Sequence, residues 1–414
     1  MRFTTVLKKL LGVEGLVAVS FSFEETGLII DVKPRWRKPR CGICGKKGPG
    51  YDSQEPRLWR HLGLGRCMIW LRYVPRRVDC PHCGVHVEAV PWALHASRFT
   101  KDFEKMVTWL AQRSDKTTIC QLMGINWRTV GQIISRVVPL LQDKRRFESL
   151  YVIGVDEISY RKNHKYVTLV VDHIKRHVVW ANEGKSADSL NAFFEELGPE
   201  QCDQIQVITM DMSQAFIKAV REKAPNAQIV FDRFHVQKLA NTAVDEVRSA
   251  TMRELAGTEG AKFIKSSRWA LRKNPWNLTR GQRAKLSEVQ RENKRLYRAY
   301  LLKEGLARVL DYLQPKRAQK ALRDWLAWAS RSKLAPFIKL ARTVRQHKDD
   351  ILAYVKLRYT NGPTEALNNK ARLIHRRSYG FHSAESFISM LMLSCGGIVV
   401  DAPLPSQVAF LTHI

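Results

Sequence analysis

From Tyr151 onward the chain alternates between short apolar runs and helical patterns. Tyr151-Val152-Ile153-Gly154-Val155-Asp156-Glu157 and Ile205-Gln206-Val207-Ile208-Thr209-Met210-Asp211 are brief apolar runs that each deliver an aspartate. Runs of this length, rich in Val and Ile, predict strands buried on both faces. The pattern predicts strands over 151–156, 166–172, 177–182, 205–211 and 228–232, with helices near 187–197 and 213–223. Three consecutive strands imply an antiparallel meander, and the alternation with helices that follows implies parallel pairing. After Phe231-Asp232-Arg233-Phe234-His235 the strand patterns stop. A long, basic, helical stretch follows, containing Trp269, Trp276, Trp325 and Trp328, which are expected to anchor a helical core. Asn361-Gly362-Pro363-Thr364-Glu365 then opens one more helix: Pro363 suits a first turn, and Asn361 or Thr364 serves as cap. The uncharged run from Ser386 to Val400 reads as a core helix and turn, too short to span a bilayer.

The N-terminal part follows other rules. Alternation in 16–23 and 27–32 predicts a small hairpin. Apolar Phe103, Met106, Val107 and Leu110 predict a helix over 101–112. Lys116–Met123, Gly124 and a second helix capped by Asn126 fit a helix-turn-helix, with Arg128, Thr129 and Gln132 facing outward to read a groove. A helical hairpin that only packs is the alternative. Pro139 and the charged run 143–146 mark a boundary.

Two Cys-x-x-Cys pairs, Cys41/Cys44 and Cys80/Cys83, are each followed by a glycine that tolerates positive φ. Four thiolates complete a tetrahedral site, so one structural Zn²⁺ in a zinc ribbon is expected. Cys67, Cys120, Cys202 and Cys395 sit alone among apolar residues and read as core, while His61, His82 and His86 read as ordinary polar residues.

Charge changes the picture. The chain has 414 residues with 69 Lys and Arg against 39 Asp and Glu, a formal net charge of +30. Basic residues spread along the whole chain favour a nucleic-acid partner over a membrane surface. The apolar patch near the N-terminus is broken by Glu14 with no small-residue cleavage site after it, so no signal peptide is expected.

Asp156, Asp211 and Glu365 are then a set of acids placed to hold divalent cations. Phosphodiester cleavage needs an activated water and a stabilised leaving oxygen, and two Mg²⁺ ions about 3.5–4 Å apart supply both. Mg²⁺ takes carboxylate oxygens and keeps some of its waters, so a few acids from different elements suffice. Strand alternation turns Glu157 away from Asp156. Glu365, Asn369, Arg372 and Arg376 share one helical face, combining an acid with two phosphate-seeking guanidiniums, and Leu367, Ala371 and Ile374 lie on another.

Taken together, the two cysteine pairs, the helix-turn-helix, Gly154-Val155-Asp156-Glu157, Met210-Asp211-Met212-Ser213, Phe231-Asp232-Arg233-Phe234-His235-Val236 and Glu365-Ala366-Leu367-Asn368-Asn369-Lys370-Ala371-Arg372 resemble the bacterial insertion-sequence transposases of the ISL3 type. The resemblance covers nearly the whole chain. It implies a DDE site of Asp156, Asp211 and Glu365 on Mg²⁺, with Mn²⁺ able to substitute. Arg372 stands where the family carries a basic residue seven after the Glu, and Arg376 follows on the same face. The family also implies recognition of terminal inverted repeats in double-stranded DNA, hydrolytic nicking, and attack of the freed 3′-hydroxyl on target DNA by at least a homodimer. Asp232 and His235 either assist that site, orienting DNA or shuttling a proton, or are a helix-capping Asp with a backbone-bonded His. The expected organisation is a zinc ribbon (1–98), a helix-turn-helix (99–145), a ribonuclease H-like α/β core (150–240 and 355–400) and an all-α insertion (241–354). The location implied is the bacterial cytoplasm, at the nucleoid. Two other functions fit parts of the pattern: a non-catalytic zinc and helix-turn-helix regulator, and a structure-selective nuclease of the same fold.

Overall fold

The computed structural model describes residues 6–7, 11–161 and 165–403. It divides into two compact units, Met1–Leu141 with Ile398–Ile414, and Gln142–Gly397.

In the first unit, β1 (Leu16–Glu24) and β2 (Gly27–Pro34) form the expected hairpin. Gly27 takes φ +120°, and a Cβ there would lie 2.3 Å from the Met68 carbonyl oxygen, so the turn needs glycine. Five further strands follow: β3 (Gly50–Ser53), β4 (Arg57–Leu64), β5 (Cys67–Tyr73), β6 (Arg76–Cys80) and β7 (Gly84–Val87). The hairpin is half of a larger sheet of order β1-β2-β5-β4, in which β5 runs parallel to β2 and antiparallel to β4. Leu28, Ile30 and Val32 share one hydrophobic cluster with Ile69, Leu71 and Trp59 of the neighbouring strands and with Trp92. A second sheet, β3-β6-β7, carries the second cysteine pair.

The helices that follow are α1 (Lys101–Arg113), α2 (Lys116–Met123) and α3 (Trp127–Leu141). Thr100 caps the first through the Phe103 N–H, and Asp115 caps the second through the Thr118 N–H. Gly124 ends α2 in the left-handed region, at φ +56°, and Asn126 Oδ1 accepts from the Thr129 N–H at 2.8 Å to open α3. Helix α3 runs two residues beyond the expected stop at Pro139, which sits in its last turn and costs it one bond. Arg60 of β4 donates from Nη1 to the Gly124 carbonyl at 2.8 Å, tying the turn between α2 and α3 to the sheet.

The second unit is built on β8 (Val152–Arg161), β9 (Lys165–Asp172), β10 (His177–Glu183), β11 (Val207–Met210) and β12 (Gln228–Phe231). Between them lie α4 (Ala187–Leu197), α5 (Pro199–Gln204) and α6 (Gln214–Lys223). The sheet order is β10-β9-β8-β11-β12, antiparallel among the first three and parallel across β8-β11-β12, which is the ribonuclease H-like arrangement expected. β8 does not end at Asp156. It continues five residues to Arg161 because β9 goes on pairing with it, whereas its pairing with β11 stops at Gly154.

After β12 come α7 (Arg233–Glu254), α8 (Glu259–Ser266), α9 (Arg268–Arg272), α10 (Arg280–Glu292), α11 (Lys294–Asp311), α12 (Pro315–Ser330), α13 (Ala335–Gln346) and α14 (Lys348–Leu357). One hydrophobic core runs from Val155, Ile208 and Phe231 of the sheet through Val244, Leu306, Trp325, Phe337 and Ile351 of these helices. α15 (Gly362–Arg377) then returns to pack on β8, and α16 (Ala384–Cys395) packs on β10. Of the four tryptophans expected as core anchors, Trp325 is one: it is buried and its indole N–H donates to the Leu302 carbonyl at 2.7 Å. Trp269 and Trp276 are instead 57% and 64% exposed, because they lie on and just after the short α9, which offers little surface to cover them. Cys202 and Cys395 are core residues as expected, while Cys67 and Cys120 are half-buried. Among the described residues no helix is long and apolar enough to cross a membrane.

Candidate active site

Asp156 lies in β8 and Asp211 just past the end of its parallel neighbour β11, near enough for the Asp211 charge to act on Asp156. Thr209 pairs with Gly154. That is the last pair between the two strands: Asp156 follows two residues on in β8, where alternation keeps it on the Gly154 face, and Asp211 follows Met210, at which β11 ends. Asp156 Oδ1 accepts from the Glu157 N–H at 2.8 Å, and Asp211 Oδ1 from the Ser213 N–H at 3.0 Å. Burial, with the Asp211 charge adding, pushes the Asp156 carboxyl above the ordinary carboxylate range. Glu157 was expected to point away. It is half-buried, and burial and then the Asp211 charge raise its carboxyl too, so it lies within the same electrostatic field.

Helix α15 covers that face through a buried polar cluster. Thr209 Oγ1 donates to Asn361 Oδ1 at 3.0 Å and lies 3.2 Å from His173 Nε2, which is also 3.1 Å from Thr364 Oγ1. All four side chains are buried. Burial drives the His173 imidazole down to about 4, so it is neutral at pH 7. Gly154 makes the cluster possible: a Cβ there would lie 2.0 Å from Thr364 Oγ1 and 2.3 Å from His173 Nε2. Asn361 and Thr364 were expected to cap α15, but neither side chain does, because both are committed to this cluster.

One turn further along α15, Asn368 Nδ2 donates to Asp156 Oδ2 at 2.8 Å. Four residues of helix rise about 6 Å and two of strand about 6.6 Å, so Thr364 over Gly154 leads naturally to Asn368 over Asp156. The buried stripe of the helix is thus Thr364, Asn368, Ala371 and Ile374. Sequence reasoning missed His173, Thr209 and Asn368. Gly154 was the available signal, since a glycine inside a strand marks the close approach of another element.

Glu365 lies in the first turn of α15 and is exposed, as are Arg372 and Arg376. Arg372 Nη1 donates to Asn369 Oδ1 at 2.8 Å. Asp156, Asp211 and Glu365 are not drawn within 4.8 Å of one another; among the described residues only the four cysteines form so close a group. At the start of α7, Asp232 makes no side-chain cap. Its Oδ1 lies 3.5 Å from the Asn361 backbone N–H and its Oδ2 3.5 Å from His235 Nδ1. Asp232, followed by the charges of Asp211 and Asp156, holds the His235 imidazolium above its ordinary range. His235 therefore shares the field of both aspartates.

In the first unit, the ligand atoms of Cys41, Cys44, Cys80 and Cys83 all lie within 4.8 Å of one another. Gly45 and Gly84 close the two turns at φ +72° and +80°. The backbone N–H groups of His82 and Cys83 point at Cys80 Sγ and bring its thiol down to about 7. Four soft donors in this arrangement suggest a zinc site. The three nearby histidines are engaged elsewhere: His61 with Thr100, His82 with Lys46, and His86 with the Cys83 carbonyl. Arg128 and Gln132 are exposed on α3, and Thr129 is half-buried with its hydroxyl on Asn126.

Comparison with known proteins gives a consistent result. A family model described as a transposase, of the DDE type of family ISL3, matches residues 153–391. A second, the helix-turn-helix domain of transposase family ISL3, matches residues 88–138. The chain is 36% identical to the transposase for insertion sequence element IS1557 of Mycobacterium tuberculosis, over 96% of both chains. It is 30% identical to the transposase for insertion sequence element IS1001 of Bordetella parapertussis, over 87% of this chain and 89% of that one.

Proposed function

The chain belongs to the ISL3 family, the DDE transposases of insertion sequences, and we propose that Asp156, Asp211 and Glu365 are its catalytic acids. The observation that supports this is the closeness of the two aspartates, the Asp211 charge acting on Asp156, beneath the Glu365 helix whose Asn368 bonds Asp156. A DDE transposase works with a divalent metal, and the residues present fit one. The two aspartates are hard oxygen donors hydrogen-bonded to amides, and their mutual repulsion is the kind a cation relieves. Asp156, Asp211 and Glu365 would hold two Mg²⁺, with Mn²⁺ as substitute. When bound, such ions activate water and stabilise the leaving oxygen of an in-line displacement. His235 orients DNA or moves a proton beside the acids, supported by its place in their field. Arg372 and Arg376, exposed on the Glu365 helix, contact phosphate.

The DNA partner is the duplex carrying the terminal inverted repeats, and then the target. Arg128, Thr129 and Gln132 of α3 read the groove, with Thr129 also holding the cap of its own helix. A homodimer or larger assembly on DNA follows from the need to pair two ends. The expected organisation stands as part of this proposal: zinc ribbon 1–98, helix-turn-helix 99–145, catalytic core 150–240 with 355–400, and helical insertion 241–354. One Zn²⁺ on Cys41, Cys44, Cys80 and Cys83 is expected by metal analysis. Cys41→Ser should release it and abolish repeat binding, since a structural zinc contributes its binding free energy directly to folding. A folded, DNA-binding, zinc-free wild type would dismiss the ribbon.

The deciding experiment uses purified protein and a labelled duplex with the inverted repeat that flanks the gene. Wild type should nick at the repeat boundary in Mg²⁺ or Mn²⁺ and stop when the metal is chelated. Specific binding without nicking in either metal would favour a regulator. Cutting governed by branched structure, with no preference for the repeat, would favour a structure-selective nuclease.

A further inference from the structure

We propose that Asn368 is a positioning residue of the metal site, so that the functional unit of α15 is the pair Glu365 and Asn368 and not the glutamate alone. This rests on the assignment of Asp156 as a metal ligand. Asn368 is 2% exposed, and its Nδ2 donates to Asp156 Oδ2 at 2.8 Å across a gap of 212 residues. Its Oδ1 is also buried and has no hydrogen-bond partner. A buried amide that leaves its acceptor unsatisfied loses free energy, and a helix that needed only packing would carry an apolar side chain there. The donor half of the amide is what the site uses.

The geometry explains why. A carboxylate has about four lone-pair directions. The Glu157 N–H takes one on Oδ1, and Asn368 takes one on Oδ2. Two fixed bonds on the two oxygens stop the carboxylate from rotating, which presents the remaining lone pairs in one plane. Partners that orient a ligand in this way typically change metal affinity by about 10–100-fold when removed. Asn368 lies three residues after Glu365, close to one helical turn. The same bond that orients Asp156 therefore fixes how far along β8 the glutamate sits.

The test measures Mn²⁺ binding to the full chain by electron paramagnetic resonance, without DNA and without turnover. Wild type, Asp156→Ala, Asn368→Ala and Asn368→Ser are compared, each well below its own Tm. Asn368→Ala and Asn368→Ser should both bind Mn²⁺ about 10–100-fold more weakly than wild type. In nicking assays their half-maximal Mg²⁺ concentration should rise by a similar factor, and saturating Mg²⁺ should restore most of the rate. A lowered Tm with wild-type Mn²⁺ affinity, in a protein whose affinity is lost in Asp156→Ala, would overturn the proposal and leave the acid assignment standing. Wild-type affinity in Asp156→Ala would overturn both. If the alanine variant does not fold, the serine variant, which keeps a small polar side chain, decides by the same affinity.

Discussion

Asp156→Ala, Asp211→Ala and Glu365→Ala are each expected to abolish strand cleavage and to leave binding to the repeat intact. Metal ions at a phosphodiester contribute several kcal/mol of charge stabilisation in the transition state. At 1.36 kcal/mol per decade, losing a ligand should cost a factor of at least about 10³ in rate. Binding should survive because Arg128, Thr129 and Gln132, with the four cysteines, belong to the other compact unit. Gel shift and nicking on the same labelled duplex separate the two effects. Glu365 gives the sharpest result: the Asp211 charge acts on Asp156, whereas the glutamate is exposed in the first turn of α15, and the three acids form no close group. Full cleavage by Glu365→Ala would remove it from the site and leave a two-aspartate centre with Glu157 as a further acid in the same field, since Glu157 already feels the Asp211 charge.

Gly154→Ala should be nearly as damaging, although it removes no functional group. The added methyl would meet Thr364 Oγ1 at 2.0 Å and His173 Nε2 at 2.3 Å, both on buried residues with no room to withdraw. Relief requires α15 to move off the sheet or the Thr209–His173–Thr364 bonds to break. Overpacking costs about 1–3 kcal/mol, and each buried group left unpaired adds about 1–3 kcal/mol. For a unit of this size each kcal/mol lowers Tm by about 2–4 °C. A shift of α15 by about 1 Å would displace Glu365 and Asn368 together, for a further loss of about 100-fold in rate. Thermal unfolding with single-turnover nicking checks both numbers. Near wild-type nicking by Gly154→Ala would mean that the helix does not set the geometry of the site.

The sheet was legible because buried strands announce themselves as apolar runs, and the order of runs and helices left one sensible topology. The boundaries were less so. The end of β8 was placed at Asp156, where the apolar run stops, yet pairing with β9 carries the strand to Arg161 through Glu157 and Ser159. The cysteine turns and the Asn126 cap were legible because each is a local device whose partner lies within a few residues. The buried cluster was not, because it joins β8, β11, the end of β9 and α15 across up to 191 residues. The face of α15 was set from Leu367, Ala371 and Ile374, the apolar positions. Ala371 and Ile374 are buried as that face implies, but polar Thr364 and Asn368 go inward beside them while Leu373 stays 64% exposed. The apolar stripe located the buried side of the helix but not the polar residues on it, whose burial is decided by hydrogen bonding to the sheet.

The long interval between Asp156 and its partner on α15 also bears on synthesis. The ribosome delivers β8 first, and the 212 positions that separate Asp156 from Asn368 take roughly 10–40 s to emerge at about 5–20 residues per second. For most of that time, once Asp211 has followed Asp156, the aspartates are present and the helix that completes their surroundings is not. A nascent chain can therefore fold its DNA-reading part while still tethered to its message, but it acquires the means to cut only once α15 has emerged. A product that terminates before Gly362 would occupy the ends of the element without breaking them, and would act as a competitor of the full-length enzyme.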